Sequence, residues 1–240
     1  MISNLASVSL DAQIGQNVRI DPFAVIHPDV IIGNGCHIHS NAVLYPGTRI
    51  GEDCDIFPGA SVAVVGCGGV GLSVIQGARL QGAKQIIAVD VNPVKLQWAK
   101  DFGATDIVDA RDCDPVAVVR GLVKDEWPGY EGGVDFAFEA TGLMKCIDQA
   151  VRMVNYNGTA VNIGFPGPDA EVTLNVGNID TGVYWNKVNL KVCHCGDALP
   201  SHDFPLLAQY YLQGRMDLDA MVTQKIGLND VTFTYDNAKA

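Results

Sequence analysis

Residues 57–74 read FPGASVAVVGCGGVGLSV, and two rhythms meet inside them. On the N-terminal side the chain repeats every six residues; on the C-terminal side short apolar runs alternate with stretches of helical spacing. The five residues 58–62, PGASV, fit either rhythm, so their reading decides whether the chain holds one fold or two.

Stepping by six from Ile2 gives Val8, Ile14, Ile20, Ile26, Ile32, Ile38, Leu44, Ile50, Ile56 and Val62, aliphatic at all eleven positions. Four residues after each of the first ten stand Ala6, Ala12, Val18, Ala24, Val30, Cys36, Ala42, Thr48, Cys54 and Ala60, all small or β-branched. A period of six suits neither a helix nor a simple strand, whose side chains repeat every 3.6 and 2 residues. It suits a triangular solenoid in which each hexad supplies one short strand and a corner. Gly15, Gly33 and Gly51 recur every eighteen residues, so one coil is three hexads and every third corner has the same turn chemistry.

From Ser61 the pattern changes. SVAVVG (61–66) is a short buried strand, residues 68–83 are helical in pattern with Leu72, Ile75 and Leu80 toward one side, and QIIAVD (85–90) is a second buried strand. Further units follow: helix 93–103, strand 106–110, helix 114–124, strand 134–140, helix 143–154, strand 158–165 and a strand within 188–195. This alternation predicts an α/β Rossmann-like, doubly wound parallel sheet with helices on both faces.

The turn Gly66-Cys67-Gly68-Gly69-Val70-Gly71 satisfies G-x-G-x-x-G between a strand and a helix, and Asp90 ends the next strand nineteen residues after Gly71. In such a turn Gly66 permits the tight bend, Gly68 lets backbone approach a pyrophosphate, and Gly71 allows helix and strand to touch. The helix N-terminus directs free N–H groups and partial positive charge at the phosphates. Asp90 would accept hydrogen bonds from the adenosine ribose and repel a 2′-phosphate, which favours NAD over NADP.

Composition narrows the partners. The 240 residues carry 16 basic and 27 acidic side chains, a net charge of −11, which disfavours nucleic acid and anionic membrane surfaces. The N-terminal MISNLASVSL lacks a basic stretch followed by an apolar run, and the longest apolar run, Val62–Ile75, is interrupted by four glycines. Seven cysteines with no C-x-x-C pair read as free or buried thiols in a reducing compartment. A soluble, cytoplasmic protein whose partner is a small molecule is expected, with no nucleic acid and no membrane.

Residues 1–60, through IGQNVRIDPFAVI, VIIGNGCHI and RIGEDCDIFPGA, resemble the left-handed β-helix acyltransferases, in particular UDP-N-acetylglucosamine acyltransferase. The resemblance covers about three coils and implies a left-handed β-helix; that family's catalytic histidine and substrate sites belong to later coils, which are absent here. Residues 61–240 resemble the NAD-binding and C-terminal part of zinc-containing medium-chain alcohol dehydrogenases, nearest the class III or S-(hydroxymethyl)glutathione type. VAVVGCGGVGLSVIQGA, IIAVDVNPVKLQWAKDFGATDIVDA, GVDFAFEATG and GTAVNIGFPGPDAEVTL carry the likeness.

That second resemblance implies roles. Lys95 would lie beside the adenosine ribose, Thr141 would line the cofactor cleft, and Ile163, Gly164 and Phe165 would present backbone to the nicotinamide amide; Gly66, Gly68, Gly69, Val70, Gly71 and Asp90 complete the NAD site. It also implies a catalytic zinc held by two cysteines and a histidine. Those ligands precede the glycine turn in the family, where this chain has hexads instead, so no catalytic residue and no metal ligand is expected. His37 and His39 flank the inward Ile38 and are expected in solvent, and Cys193, His194 and Cys195 as packed thiols on a strand where the family's cofactor domains pair.

The domains then run 1–60, 61–195 and 196–240, the last a remnant that lacks its usual partner and leaves Phe204, Leu206, Tyr210, Tyr211 and Leu212 needing another surface. Two patterns that abut in phase read as a chimera, engineered, computationally assembled or a natural fusion. An NAD(H)-binding homo-oligomer without dehydrogenase turnover is the leading expectation; an active alcohol or formaldehyde dehydrogenase and a purely structural fusion are the alternatives.

Overall fold

Each hexad folds as a two-residue strand closed by a turn. In the computed structural model, which describes residues 1–56, 59–123 and 132–228, nine such strands follow in order: β1 (Ser7–Val8), β2 (Gln13–Ile14), β3 (Arg19–Ile20), β4 (Val25–Ile26), β5 (Ile31–Ile32), β6 (His37–Ile38), β7 (Val43–Leu44), β8 (Arg49–Ile50) and β9 (Asp55–Ile56). Each of the first six pairs in parallel with the strand eighteen residues on, as in Ser7↔Val25, Gln13↔Ile31 and Arg19↔His37. The result is three three-stranded parallel sheets, β1-β4-β7, β2-β5-β8 and β3-β6-β9, one per side of a triangular solenoid.

Register explains the sequence. Stacking residues eighteen apart puts Ile20 over Ile38 and Ile26 over Leu44, and these side chains, with Ala24, Val30 and Cys36, form a core that excludes solvent. Close corner stacking explains the spaced glycines, because a Cβ on Gly33 would stand 2.4 Å from the carbonyl oxygen of Gly51. A second periodicity accompanies the aliphatic one: Asn17, Phe23, Asp29, Gly35, Asn41, Gly47, Asp53 and Gly59 all take positive φ, one every six residues. Seven of the eight are Gly, Asn or Asp, the types that tolerate this region. Gly59 keeps that phase while a Cβ there would come within 2.3 Å of the Gly82 carbonyl oxygen, so it ends the repeat and abuts a turn of the following α/β region at once.

Val62, last in the aliphatic series, belongs to that next sheet. Its strands are β10 (Ser61–Val65), β11 (Gln85–Asp90), β12 (Asp106–Asp109), β13 (Val134–Glu139), β14 (Val154–Asn162) and β15 (Asn189–Val192), all parallel, in the order β12-β11-β10-β13-β14-β15. Helices α1 (Gly69–Leu80), α2 (Pro93–Asp101), α3 (Pro115–Leu122) and α4 (Met144–Met153) connect them. This is a Rossmann-like sheet, and all five residues of β10 are buried, as a central strand covered on both faces requires. Asn92 and Asp114 cap α2 and α3, each followed by a proline at the first helical position.

The elements lie where spacing predicts them, with one displaced start. Strand β14 begins at Val154 rather than 158, because NYNG (155–158) turns, with Asn157 at φ 62°, without leaving the sheet: Val134 pairs with Val154 and, after a bulge, Phe136 pairs with Thr159. Residue 124 of the expected third helix lies outside the described residues.

The chain divides into two compact units, Met1–Asp197 and Ala198–Ala240. The second contains α5 (Pro200–Leu212), which buries none of its residues; Phe204 and Leu212 remain 64% and 81% exposed. Tyr211 donates to Asp219 at 2.7 Å and the Arg215 guanidinium sits over the Tyr210 ring. No helix of the described residues is long and apolar enough to cross a membrane.

Phe23 is the exception in the positive-φ series, at +65° with its side chain half exposed. Phe23→Asn is therefore expected to stabilise the solenoid by about 1 kcal/mol, read as an increased urea midpoint at unchanged slope.

Candidate functional site

The site forms where the sheet order reverses, between the C-terminal ends of β10 and β13, the position at which doubly wound sheets bind ligands. Gly66 turns the chain out of β10 at φ 92°, its N–H bonded to the Val89 carbonyl at 2.8 Å. A Cβ on Gly71 would lie 1.8 Å from the Gly66 carbonyl oxygen, so only glycine lets α1 start this close to the strand. Gly68 and Gly69 face open space, and the N-cap Gly68 supplies no side chain to the first turn of α1. The first-turn amides of Gly69, Val70 and Gly71 have no side-chain cap and form a positively polarised helix end of the kind that suits phosphate.

Asp90 ends β11 beside this turn. Its Oδ2 accepts from the Cys67 N–H and its Oδ1 from the Asn92 N–H, both at 2.8 Å. Two of its roughly four acceptor positions remain for ligand hydroxyls, so the carboxylate braces the glycine turn as well as facing the cleft. Burial, and then the Asp90 charge, push the Cys67 thiol up to about 12, with the Lys95 ammonium opposing them. That thiol is a packing group, not a nucleophile; Lys95 stands in the first turn of α2, its N–H donating to the Asn92 cap.

The opposite wall rests on a residue that motif reading passed over. Glu139, only 1% exposed, ends β13; its Oε1 accepts from the Thr141 N–H at 2.6 Å, the Gly142 N–H at 2.9 Å and the Thr141 hydroxyl. Its carbonyl accepts from the amides of Ile163 and Gly164 at 2.8 and 3.0 Å. Glu139 thus ties the loop after β13 to the loop after β14, while its Oε2 is buried with no partner. The available signal was an acid at the end of a buried strand followed by Ala-Thr-Gly.

Gly66, Asp90 and Thr141 line one cleft of about 260 Å³ with Val65, Val89 and Cys146. Ile163, Gly164 and Phe165 are not among its lining residues; they pack on Glu139 and Gly142 behind Thr141, a Cβ on Gly142 meeting the Phe165 carbonyl oxygen at 2.4 Å. The Ile163 and Gly164 amides donate to the Glu139 carbonyl, which leaves their carbonyls as the backbone groups open to other partners, and Phe165 is 85% exposed. A larger apolar groove of about 460 Å³, lined by Val62, Val74, Phe136 and Phe138 among others, contains no acid, base or nucleophile.

Among the described residues no zinc ligand set lines the cleft. Cys146 is its one thiol, it holds no histidine, and Asp90 is already engaged. Strand β15 ends at Val192, before half-buried Cys193 and exposed His194, and neither joins a cluster of potential ligands among the described residues. The one such cluster there is in the solenoid: Asp21, His37 and His39. The histidines do flank Ile38 outward, but Asp21 from the preceding coil reaches His37 at 2.8 Å. Burial alone would raise the Asp21 carboxyl; hydrogen bonds from His37 and Arg19 hold it below the usual carboxylate range.

A parallel sheet with this order, a glycine-rich turn at its switch point and an acid ending the neighbouring strand is the NAD-binding fold of dehydrogenases. The profile of the zinc-binding dehydrogenases matches residues 69–211, and the chain belongs to that family. A second profile, the bacterial transferase hexapeptide, matches residues 11–45. The chain is 32% identical over 180 residues to S-(hydroxymethyl)glutathione dehydrogenase of Paracoccus denitrificans, covering 74% of itself and 46% of that protein. Alcohol dehydrogenase class-3 of Cereibacter sphaeroides matches at the same identity and coverage.

Among solved structures, an alcohol dehydrogenase zinc-binding domain protein from Burkholderia ambifaria superposes with a TM-score of 0.69 at 30% identity, over 76% of this chain and 46% of that one. A zinc-binding dehydrogenase from Sinorhizobium meliloti bound to NADP gives 0.61 at 25% identity, over 74% and 48%. The chain spans just under half the length of these relatives.

Replacing Glu139 by Ala leaves the Thr141 and Gly142 amides without their acceptor. The variant is expected to lose about 2 kcal/mol of stability, measured by urea unfolding, with the loops after β13 and β14 gaining hydrogen-exchange rate.

Proposed function

We propose that the chain is an NAD(H)-binding chimera: a left-handed β-helix of hexads over 1–60, a cofactor-binding domain over 61–195 and a dehydrogenase C-terminal remnant over 196–240. The observation that carries this reading is the glycine turn that opens α1 with no side-chain cap, braced at the Cys67 amide by Asp90, which with Gly66 lines the cleft. The Asp90 carboxylate disfavours a 2′-phosphate, which supports NAD(H) over NADP(H). The free thiols, with buried Cys36 and Cys67 among them, suit a reducing compartment such as the cytoplasm.

Dehydrogenase turnover is not part of this reading, because the cleft carries no set of three ligands for a catalytic zinc among the described residues. The names of the curated relatives favour a second reading, an active alcohol or S-(hydroxymethyl)glutathione dehydrogenase. Calorimetric titration separates them. NADH is expected to bind at one site, at least about tenfold tighter than NADPH, the equivalent of about 1.4 kcal/mol; equal affinities would remove Asp90 as the discriminator. No NADH is expected from alcohols or S-(hydroxymethyl)glutathione with zinc supplied, and turnover would establish the second reading.

The chain also associates with itself in this reading. Strand β15 is the sheet edge, all four residues are exposed, and Leu190 and Val192 are 47% and 71% exposed. An open apolar edge pairs with another strand unless it is blocked. Leu190→Lys with Val192→Lys is expected to reduce the mass seen by light scattering to that of one chain; an unchanged mass would move the interface elsewhere.

A further inference from the structure

We propose that Asp21, His37 and His39 form a binding site for a divalent transition-metal cation of the zinc class, clipping two adjacent coils of the solenoid together. The site is separate from the dinucleotide cleft and needs no cofactor.

Strand alternation and coil register build it. Ile38 is fully buried, so its neighbours His37 and His39 stand on the outer face of the same strand. Ile20 pairs with Ile38, and the Asp21 N–H donates to the Ile38 carbonyl at 2.8 Å, which sets the carboxylate beside both imidazoles from one coil away. The His37 and His39 rings are close neighbours, 3.7 Å between centroids and tilted by 34°.

The separations suit one ion. Asp21 Oδ2 is 2.8 Å from His37 Nε2 and 4.0 Å from His39 Nδ1, and one ligand atom from each residue falls within 4.8 Å of the others. Ligands at about 2.0–2.2 Å from a tetrahedral zinc stand roughly 3.3–3.5 Å apart, inside that range and reachable by small imidazole rotations. Two neutral imidazoles and a carboxylate are borderline donors that select zinc, cobalt or nickel over calcium or magnesium.

The surroundings favour a held but accessible ion. The three side chains are 16%, 22% and 26% exposed, which leaves an open side for water ligands. Arg19 Nε donates to Asp21 Oδ1 at 2.9 Å, turning Oδ2 toward the histidines. A partner that orients a ligating carboxylate in this way is a common feature of metal sites. Because Asp21 and the histidines come from successive coils, an ion bound there stabilises the folded solenoid by mass action.

The test uses the full chain stripped with EDTA and titrated with zinc chloride, then with cobalt chloride. One zinc per chain is expected, with a raised thermal midpoint and a cobalt spectrum of nitrogen and oxygen donors. His37→Ala/His39→Ala and Asp21→Asn should each weaken zinc by more than about tenfold and abolish the thermal gain. His39→Gln, which keeps size and polarity, gives the same reading if the double variant does not fold. No zinc binding, undiminished binding in the folded histidine variants, or a thiolate-to-cobalt band placing the ion on cysteines would each overturn the proposal.

Discussion

Pairing of β10 on both of its edges is the constraint on which residues 59–197 depend. Every residue of this strand is buried, so its amides and carbonyls must be satisfied by β11 on one side and β13 on the other. That pairing brings the ends of three strands together: Gly66 leaves β10, Asp90 closes β11 and Glu139 closes β13. The glycine turn, its acidic brace and the far wall of the cleft are consequences of one satisfied ladder.

Within that frame two carboxylates divide the labour. Asp90 accepts from the Cys67 and Asn92 amides and still faces the cleft, whereas Glu139 is wholly interior and ties two loops together. Asp90 is the carboxylate that lines the cleft, and Glu139 fixes the loops that form its opposite wall. The unpartnered Oε2 of Glu139 marks one point where the polar network is incomplete.

The solenoid obeys a different constraint, identical register repeated every eighteen residues. It aligns aliphatic side chains inward and, by the same operation, aligns polar side chains outward from successive coils. The Asp21, His37 and His39 grouping is a product of that alignment. Gly59 links the two systems, since its backbone keeps the six-residue phase of the coils while packing on Gly82 of the turn after α1.

Periodic and short-range features were legible in the chain alone: the hexad series, the glycine turn, the acid nineteen residues beyond it and the order of strands and helices. Each reflects a local backbone requirement, a side-chain period or a positive φ, which leaves its mark within a few residues. The part played by Glu139, the outward triad across two coils and the bare edge at β15 were decided by tertiary structure. They arise from register between segments distant in sequence, and a residue's own neighbours carry no record of what is stacked against it one coil or one strand away.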